Sequence, residues 1–232
     1  MLDTTTSYRL IARDITTSLA RTAKEPQVAL ESAYYMKKIG GIASIDDFLK
    51  DTRLFKFAMT AFGLDDMAYA KGFVRKILKD GVADSTSLAN RLTDTRFKAL
   101  ATAFNFKRDG AAATSSFATR QGVVDRYVRQ TMEVSAGADN EGVRLALYFQ
   151  RTAPTVKSAY GLLGDEALWK VVKTVLGFPT EMASADITKQ AAAINKRLDI
   201  STLSDPVKLG KFIGRFTAMY DAQNAQSAPL LS

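Results

Sequence analysis

The sequence contains no cysteine and no histidine. The first absence excludes disulfides, thiolate nucleophiles and thiolate metal sites, and the second removes imidazole as a metal ligand. It also removes the commonest general acid–base group near neutral pH. Any catalysis would have to run on Asp, Glu, Lys, Arg, Ser, Thr or Tyr. The chain has no GxxxxGK[ST] phosphate loop, no GxGxxG after a strand, no GxSxG elbow, no SxxK set and no EF-hand spacing. No apolar run approaches the roughly 18 residues a transmembrane helix requires, so no transmembrane segment is expected. The N-terminus, MLDTTTSYRL, lacks a basic stretch followed by an apolar one, so no cleavable secretory signal is read. The expected compartment is the cytoplasm, with export by a signal-free apparatus as the alternative.

What is present is a chain of 232 residues, 47% of them hydrophobic, long enough for one large or two small domains with a substantial core. Its 32 Lys and Arg outweigh 24 Asp and Glu for a net charge of +8. Residues 1–106 carry 16 basic against 12 acidic side chains, and residues 107–232 carry 16 against 12 again. There is thus no polybasic block, and a solvated surface is the ordinary reading of such charge.

A repeat organises the chain. Residues 34–64, YYMKKIGGIASIDDFLKDTRLFKFAMTAFGL, align without a gap to residues 148–178, YFQRTAPTVKSAYGLLGDEALWKVVKTVLGF, at a constant offset of 114 over 31 residues. Eight pairs are identical: Tyr34/Tyr148, Ser44/Ser158, Leu49/Leu163, Asp51/Asp165, Leu54/Leu168, Lys56/Lys170, Thr60/Thr174 and Gly63/Gly177. The pattern predicts an internal duplication of a helical folding unit.

Apolar residues recur at helical spacing almost throughout, and no alternation at period two is found, so little or no sheet is expected. Residues 1–6 read as frayed. Tyr8, Ile11, Ile15 and Leu19 predict a helix over Ser7–Lys24, closed by Pro26. Further helices are expected at Val28–Ile39, Ile45–Lys50, Asp65–Lys79, Ser85–Leu92, Val123–Glu133, Val143–Thr152 and Ile187–Leu198. A Leu-x-Asp signature stands before apolar helices at Asp51, Asp94, Asp165 and, more loosely, Asp205. Each Asp fits an N-cap, its carboxylate accepting the free amides of the first turn; Pro206 then takes the first helical position. Asp46–Asp47 and Asp65–Asp66 read the same way, since the positive end of a helix favours them. Residues 135–142, SAGADNEG, read as a loop.

The resulting expectation is an all-α, compact multi-helix array built from two related repeats, about 34–108 and 148–220. It forms a single helical domain over 1–232. A first half at 7–106 is joined by an exposed linker at 107–122 to a second half at 123–221, with a disordered tail at 222–232. The densest basic cluster is the helical face Lys71, Arg75, Lys76 and Lys79, a candidate phosphate contact if the protein binds nucleic acid. No catalytic, metal or cofactor-binding residue is assigned, and no cofactor is expected.

The segments SYRLIARD at 7–14, AYYMKKIGGIASIDDFLKDTRLFKFAMTAFGL at 33–64, DRYVRQT at 125–131, NEGVRLALYFQR at 140–151 and KLGKFIGRFTAMYD at 208–221 resemble domain-of-unknown-function family 1217. That family is helical, has no assigned activity and occurs mainly in alphaproteobacteria. Its genes often lie in flagellar clusters near basal-body rod genes. The helical duplicated scaffold without a catalytic constellation points to a non-enzymatic protein with a protein partner, and the resemblance adds that it is accessory to flagellar assembly or motility, in the cytoplasm or exported to the flagellum. Nucleic-acid binding through the basic face is the alternative. An enzyme built on carboxylates and lysine is the weakest reading, because its candidate acids all stand at helix starts.

Overall fold

A computed structural model describes residues 2–227 of the chain. Among them there are fifteen α-helices, six short 3-10 segments and no β-strand. The chain runs α1 (Thr4–Arg13), α2 (Ile15–Ala23), α3 (Pro26–Ile39), α4 (Ile45–Lys50), α5 (Thr52–Ala61), α6 (Lys71–Asp80), α7 (Leu88–Arg91), α8 (Thr95–Ala103) and α9 (Phe106–Asp109). It continues through α10 (Gln121–Asp139), α11 (Glu141–Thr152), α12 (Ala159–Leu163), α13 (Glu166–Leu176), α14 (Ile187–Arg197) and α15 (Pro206–Ser227).

Most helix starts are set by a short polar side chain. Asp3, Ser44, Asp51, Asp94, Asn140, Ser158, Asp165 and Asp186 each accept a backbone amide of the turn that follows. Asp205 likewise accepts from Val207 and Lys208. Gly177 ends α13 in the left-handed conformation, at φ 63°. Gly63, its partner at offset 114, has φ 69° just past α5. A residue with a Cβ would be strained at either position.

Backbone packing divides the chain into two units, one formed by Met1–Ile15 with Glu133–Ser232, the other by Thr16–Met132. The core of the Thr16–Met132 unit is aromatic. Phe48 lies 5.7 Å from Phe55 edge to face and 4.7 Å from Phe104, and all three are fully buried. Tyr35 stacks on Phe57, which stacks on Tyr127. Burying each such ring contributes about 1.5–3 kcal/mol, with up to ~1.5 kcal/mol more from favourable ring pairs. The other unit is centred on α11, α13 and α15, where Phe149 stacks on Phe212 at 5.4 Å over Val171, Val172 and Ile213.

Several elements depart from the sequence expectation. Residues 4–6 belong to α1 instead of fraying. Thr4 is fully buried, its amide donates to Asp221 and its hydroxyl pairs with Asn140. The helix expected over Ser7–Lys24 is two helices interrupted at Asp14. Residues 65–79 hold a 3-10 turn at Asp65–Met67 and then α6, with Tyr69 exposed between them. The helix expected at Val123–Glu133 extends as α10 through most of the supposed loop at 135–142, leaving Asn140 as the cap of α11.

Residues 107–122 hold the end of α9, two 3-10 turns and the start of α10. Their side chains are mostly exposed, but Ala113, Thr114 and Thr119 are buried, and the Thr114 hydroxyl donates to the Ile42 carbonyl at 2.7 Å. The segment is therefore tied down locally, within the Thr16–Met132 unit. Of the tail expected at 222–232, residues 222–227 are helical and 228–232 lie outside the described residues.

Candidate functional site

The four basic residues of the predicted face all lie on α6, and local structure claims two of them. The Lys71 ammonium donates to the Leu49 carbonyl at 2.8 Å and to the Thr52 hydroxyl at 3.1 Å. It thereby serves a free carbonyl at the end of α4. Arg75 is ion-paired with Asp46. Lys76 and Lys79 are exposed. Of the four, only Arg75 has its charge paired; Lys71 keeps its charge but is held on protein oxygens, and Lys76 and Lys79 meet no hydrogen-bond or ion-pair partner among the described residues.

The acidic residues are similarly engaged. Asp51 accepts the Leu54 amide on one oxygen, at 3.0 Å, and the Tyr34 hydroxyl on the other, at 2.9 Å. Asp165 does the same with the Leu168 amide, at 3.0 Å, and the Tyr148 hydroxyl, at 2.5 Å. The Asp51 hydrogen bond, with burial second, raises the Tyr34 phenol above the usual tyrosine range.

In both places a guanidinium covers the tyrosine ring: Arg53 at 4.0 Å over Tyr34 and Arg151 at 5.0 Å over Tyr148. Each arginine is fixed by a glutamate, Arg53 by Glu31 and Arg151 by Glu133. Burial works against the Arg151 charge, but the hydrogen bonds and charge of Glu133 outweigh it and raise its pKa. The tyrosines and aspartates are related by the offset of 114, whereas the positions matching Arg53 and Glu31 are Ala167 and Leu145. The two arrangements therefore reach similar contacts with different arginines and glutamates. Chemically they are cap, hydroxyl and ion pair, with both oxygens of each aspartate occupied.

The Thr16–Met132 unit carries a surface depression. It is open, encloses about 460 Å³, and is lined by Lys38, Gly41, Ile42, Asp47, Lys50 and Asp51. It sits where the end of α3 turns through Gly40 and Gly41 into α4. Asp47 accepts the Ser44 hydroxyl at 2.7 Å, and Asp51 is held as described. The Lys38 and Lys50 side chains are exposed and meet no hydrogen-bond or ion-pair partner among the described residues. Arg120 lies against the same turn: a Cβ placed on Gly40 would stand 3.2 Å from its Nη1.

No motif in the sequence announces this depression. The signal available was the alignment of residues 34–64 with 148–178, where Gly40–Gly41 stands against Pro154–Thr155 and Asp46–Asp47 against Tyr160–Gly161.

Among the described residues no three His, Cys, Asp or Glu side chains group as metal ligands do, and no helix is long and apolar enough to cross a membrane. Residues 61–209 match the family model described as "Protein of unknown function (DUF1217)". No curated protein matches the chain. The fold is similar to the X-ray crystal structure of a protein from Agrobacterium tumefaciens determined by a structural genomics consortium. The TM-score is 0.89 and the identity 51%, covering 94% of this chain and 93% of that one.

Proposed function

The chain belongs to the DUF1217 family, and we propose that it works as a non-enzymatic helical interaction protein, accessory to flagellar assembly or motility. The observation that carries the non-enzymatic reading is the use made of the carboxylates. Asp51, Asp165 and Asp186 cap helices, Asp46 pairs with Arg75, and Asp47 holds the Ser44 hydroxyl. A general acid–base pair needs two carboxyl groups free to face a substrate. The flagellar reading rests on the gene neighbourhoods of the family, and the working compartment is the cytoplasm or, after signal-free export, the flagellum.

We also read 34–64 and 148–178 as copies of one folding unit. In support, the caps at Ser44/Ser158 and Asp51/Asp165, the Tyr34/Tyr148 hydrogen bonds, the Thr60/Thr174 bonds to the carbonyl four residues back, and the positive φ at Gly63/Gly177 all recur at the same offset.

Affinity capture of the tagged protein from its native, motile cells is expected to recover a flagellar component, and deletion of the gene to impair swimming. A deletion strain that swims normally, together with capture free of flagellar proteins, overturns the proposal. Nucleic-acid binding is checked by titrating duplex DNA at two salt concentrations. With Arg75 paired to Asp46 and the Lys71 ammonium held on protein oxygens, binding is expected to be weak and its salt slope shallow.

A further inference from the structure

The sequence holds two Asp–Gly bonds, Asp80–Gly81 and Asp109–Gly110, and no Asn–Gly. Asp–Gly is a reactive pair in water. Glycine puts no side chain over its amide nitrogen, and that nitrogen can close a five-membered ring onto the preceding carboxyl carbon. Both bonds lie in the Thr16–Met132 unit and both stand at a helix end, Asp80 closing α6 and Asp109 closing α9. In both the glycine has a positive φ, 66° and 53°. In both its amide donates to the carbonyl four residues back, of Ile77 and of Phe106. The same chemistry is thus set in two different surroundings.

At Asp80–Gly81 the backbone is braced. The end of α6 is fixed by Ile77 and Leu78, both fully buried. The Lys107 ammonium donates to the Asp80 carbonyl at 3.1 Å. A Cβ on Gly81 would stand 3.1 Å from the Lys107 Cβ. Ring closure has to turn this peptide off Ile77 and past the Lys107 stem. At Asp109–Gly110, α9 is a single turn of 4 residues. Nothing lies within 4 Å of where a Cβ of Gly110 would stand, and Gly110, Ala111 and Ala112 are exposed.

The carboxylates are arranged the other way round. That of Asp80 meets no hydrogen-bond or ion-pair partner among the described residues. That of Asp109 accepts from Arg108 Nε at 2.7 Å and Nη2 at 2.8 Å, and this pair holds it below the usual carboxylate range. Ring closure expels a carboxyl oxygen as water, which the neutral acid allows and the carboxylate resists, so Arg108 acts as a brake. The brake is the weaker effect. The Arg108 side chain is 72% exposed, and a pair so screened by water slows the reaction by at most roughly fivefold. Displacing a charged hydrogen bond and a packed stem from a helix end fixed in the core slows it by roughly tenfold or beyond.

We propose that Asp109–Gly110 is the bond at which this protein spontaneously isomerises, and that Asp80–Gly81 is held shut by the fold. The Gly110 nitrogen attacks the Asp109 side-chain carboxyl carbon. The N–C bond forms as the C–OH bond breaks, and the amide proton leaves with that hydroxyl as one water. Hydrolysis of the succinimide returns one water. Opening at the side-chain carbonyl restores aspartate, and opening at the α-carbonyl leaves the main chain running through the side-chain carboxyl. The isoaspartate form keeps the mass of the parent. It adds one carbon to the backbone between α9 and the 3-10 turn Gly110–Thr114, whose Thr114 hydroxyl is bonded to the Ile42 carbonyl.

The test keeps the full chain near neutral pH. Isoaspartate at each bond is measured in proteolytic peptides by reversed-phase separation and electron-transfer fragmentation. A parallel sample in urea gives the rate of each bond in the unfolded chain, and each folded rate is divided by its own unfolded one. The ratio is expected to be at least about fivefold higher at Asp109 than at Asp80. In the folded chain Arg108→Gln is expected to speed the reaction at Asp109 by about two- to fivefold and to leave Asp80 as it was. Equal ratios at the two bonds, or a higher ratio at Asp80, overturn the assignment. An Arg108→Gln rate equal to that of the parent overturns the role of Arg108.

Discussion

At the scale of single residues, hydroxyls and carboxylates carry most of the specificity. The Tyr35 side chain is fully buried and donates to the Thr119 carbonyl. Burial raises its phenol well above the usual tyrosine range. The native state therefore keeps a proton that the unfolded chain releases above about pH 10. For a raised pKa, the contribution to stability is intact below the unfolded value and is lost as pH climbs toward the folded one. Urea unfolding at pH 8, 10 and 11 is expected to show stability falling above pH ~10. Tyr35→Phe should start lower by about 1 kcal/mol, because the Thr119 carbonyl loses its donor, but fall less steeply. Asp165→Ala removes both the cap of α13 and the acceptor of the Tyr148 hydroxyl. It is expected to cost about 1–2 kcal/mol in the same measurement. The capping role of Asp165 was legible in the sequence, since an aspartate before an apolar-periodic run has one dominant use. The Arg151–Glu133 pair that accompanies it was not, because nothing local in the sequence says that an arginine late in α11 faces a glutamate in α10.

At the scale of elements, most α-helices were readable from spacing, and the departures have physical causes. The stretch SAGADNEG reads as a loop because small and polar residues dominate it. Its helical part survives because Gly137 lets the Arg144 stem approach, to 2.8 Å from where a Cβ would stand. Gly142 makes a tighter passage, where a Cβ would come within 2.5 Å of the Tyr220 ring and 2.8 Å of the Thr4 methyl. Gly142→Ala is therefore expected to destabilise by about 1–3 kcal/mol, by forcing α1 and α15 off α11. Gly137→Ala meets the Arg144 Cβ at 2.9 Å, an atom fixed to the backbone of α11, so it is expected to cost a similar ~1–3 kcal/mol; thermal melts of the two variants check both. The segment 107–122 reads as an exposed linker, and its side chains are mostly exposed; its 3-10 turns lack the apolar period of an α-helix, and its bond to Ile42 spans 72 residues, so neither was visible locally. The depression at Gly40–Gly41 was hidden in the same way, since its lysines sit on two helices and carry no motif.

At the scale of the whole molecule, the N-terminal helix is grouped with the C-terminal residues. Helix α1 packs on α11 and α15, and bonds link Thr4 to Asp221 and Thr5 to Thr217. The single tryptophan, Trp169, belongs to this unit and reports on it. Removal of residues 1–13 is expected to lower the unfolding midpoint followed by Trp169 fluorescence by about 5–10 °C, consistent with a loss of a few kcal/mol in a chain of this size. A midpoint within a degree of the parent would show that α1 is an accessory. The bond from Thr4 to Asp221 closes a separation of 217 residues, and that span has a meaning during synthesis. A ribosome adds roughly 5–20 residues per second, so α1, once made, waits on the order of ten to forty seconds for its seat to be made. Throughout that time the 10 residues of α1 are too few to hold a helix in water by themselves, so this helix becomes stable only when α11 and α15 arrive to receive it.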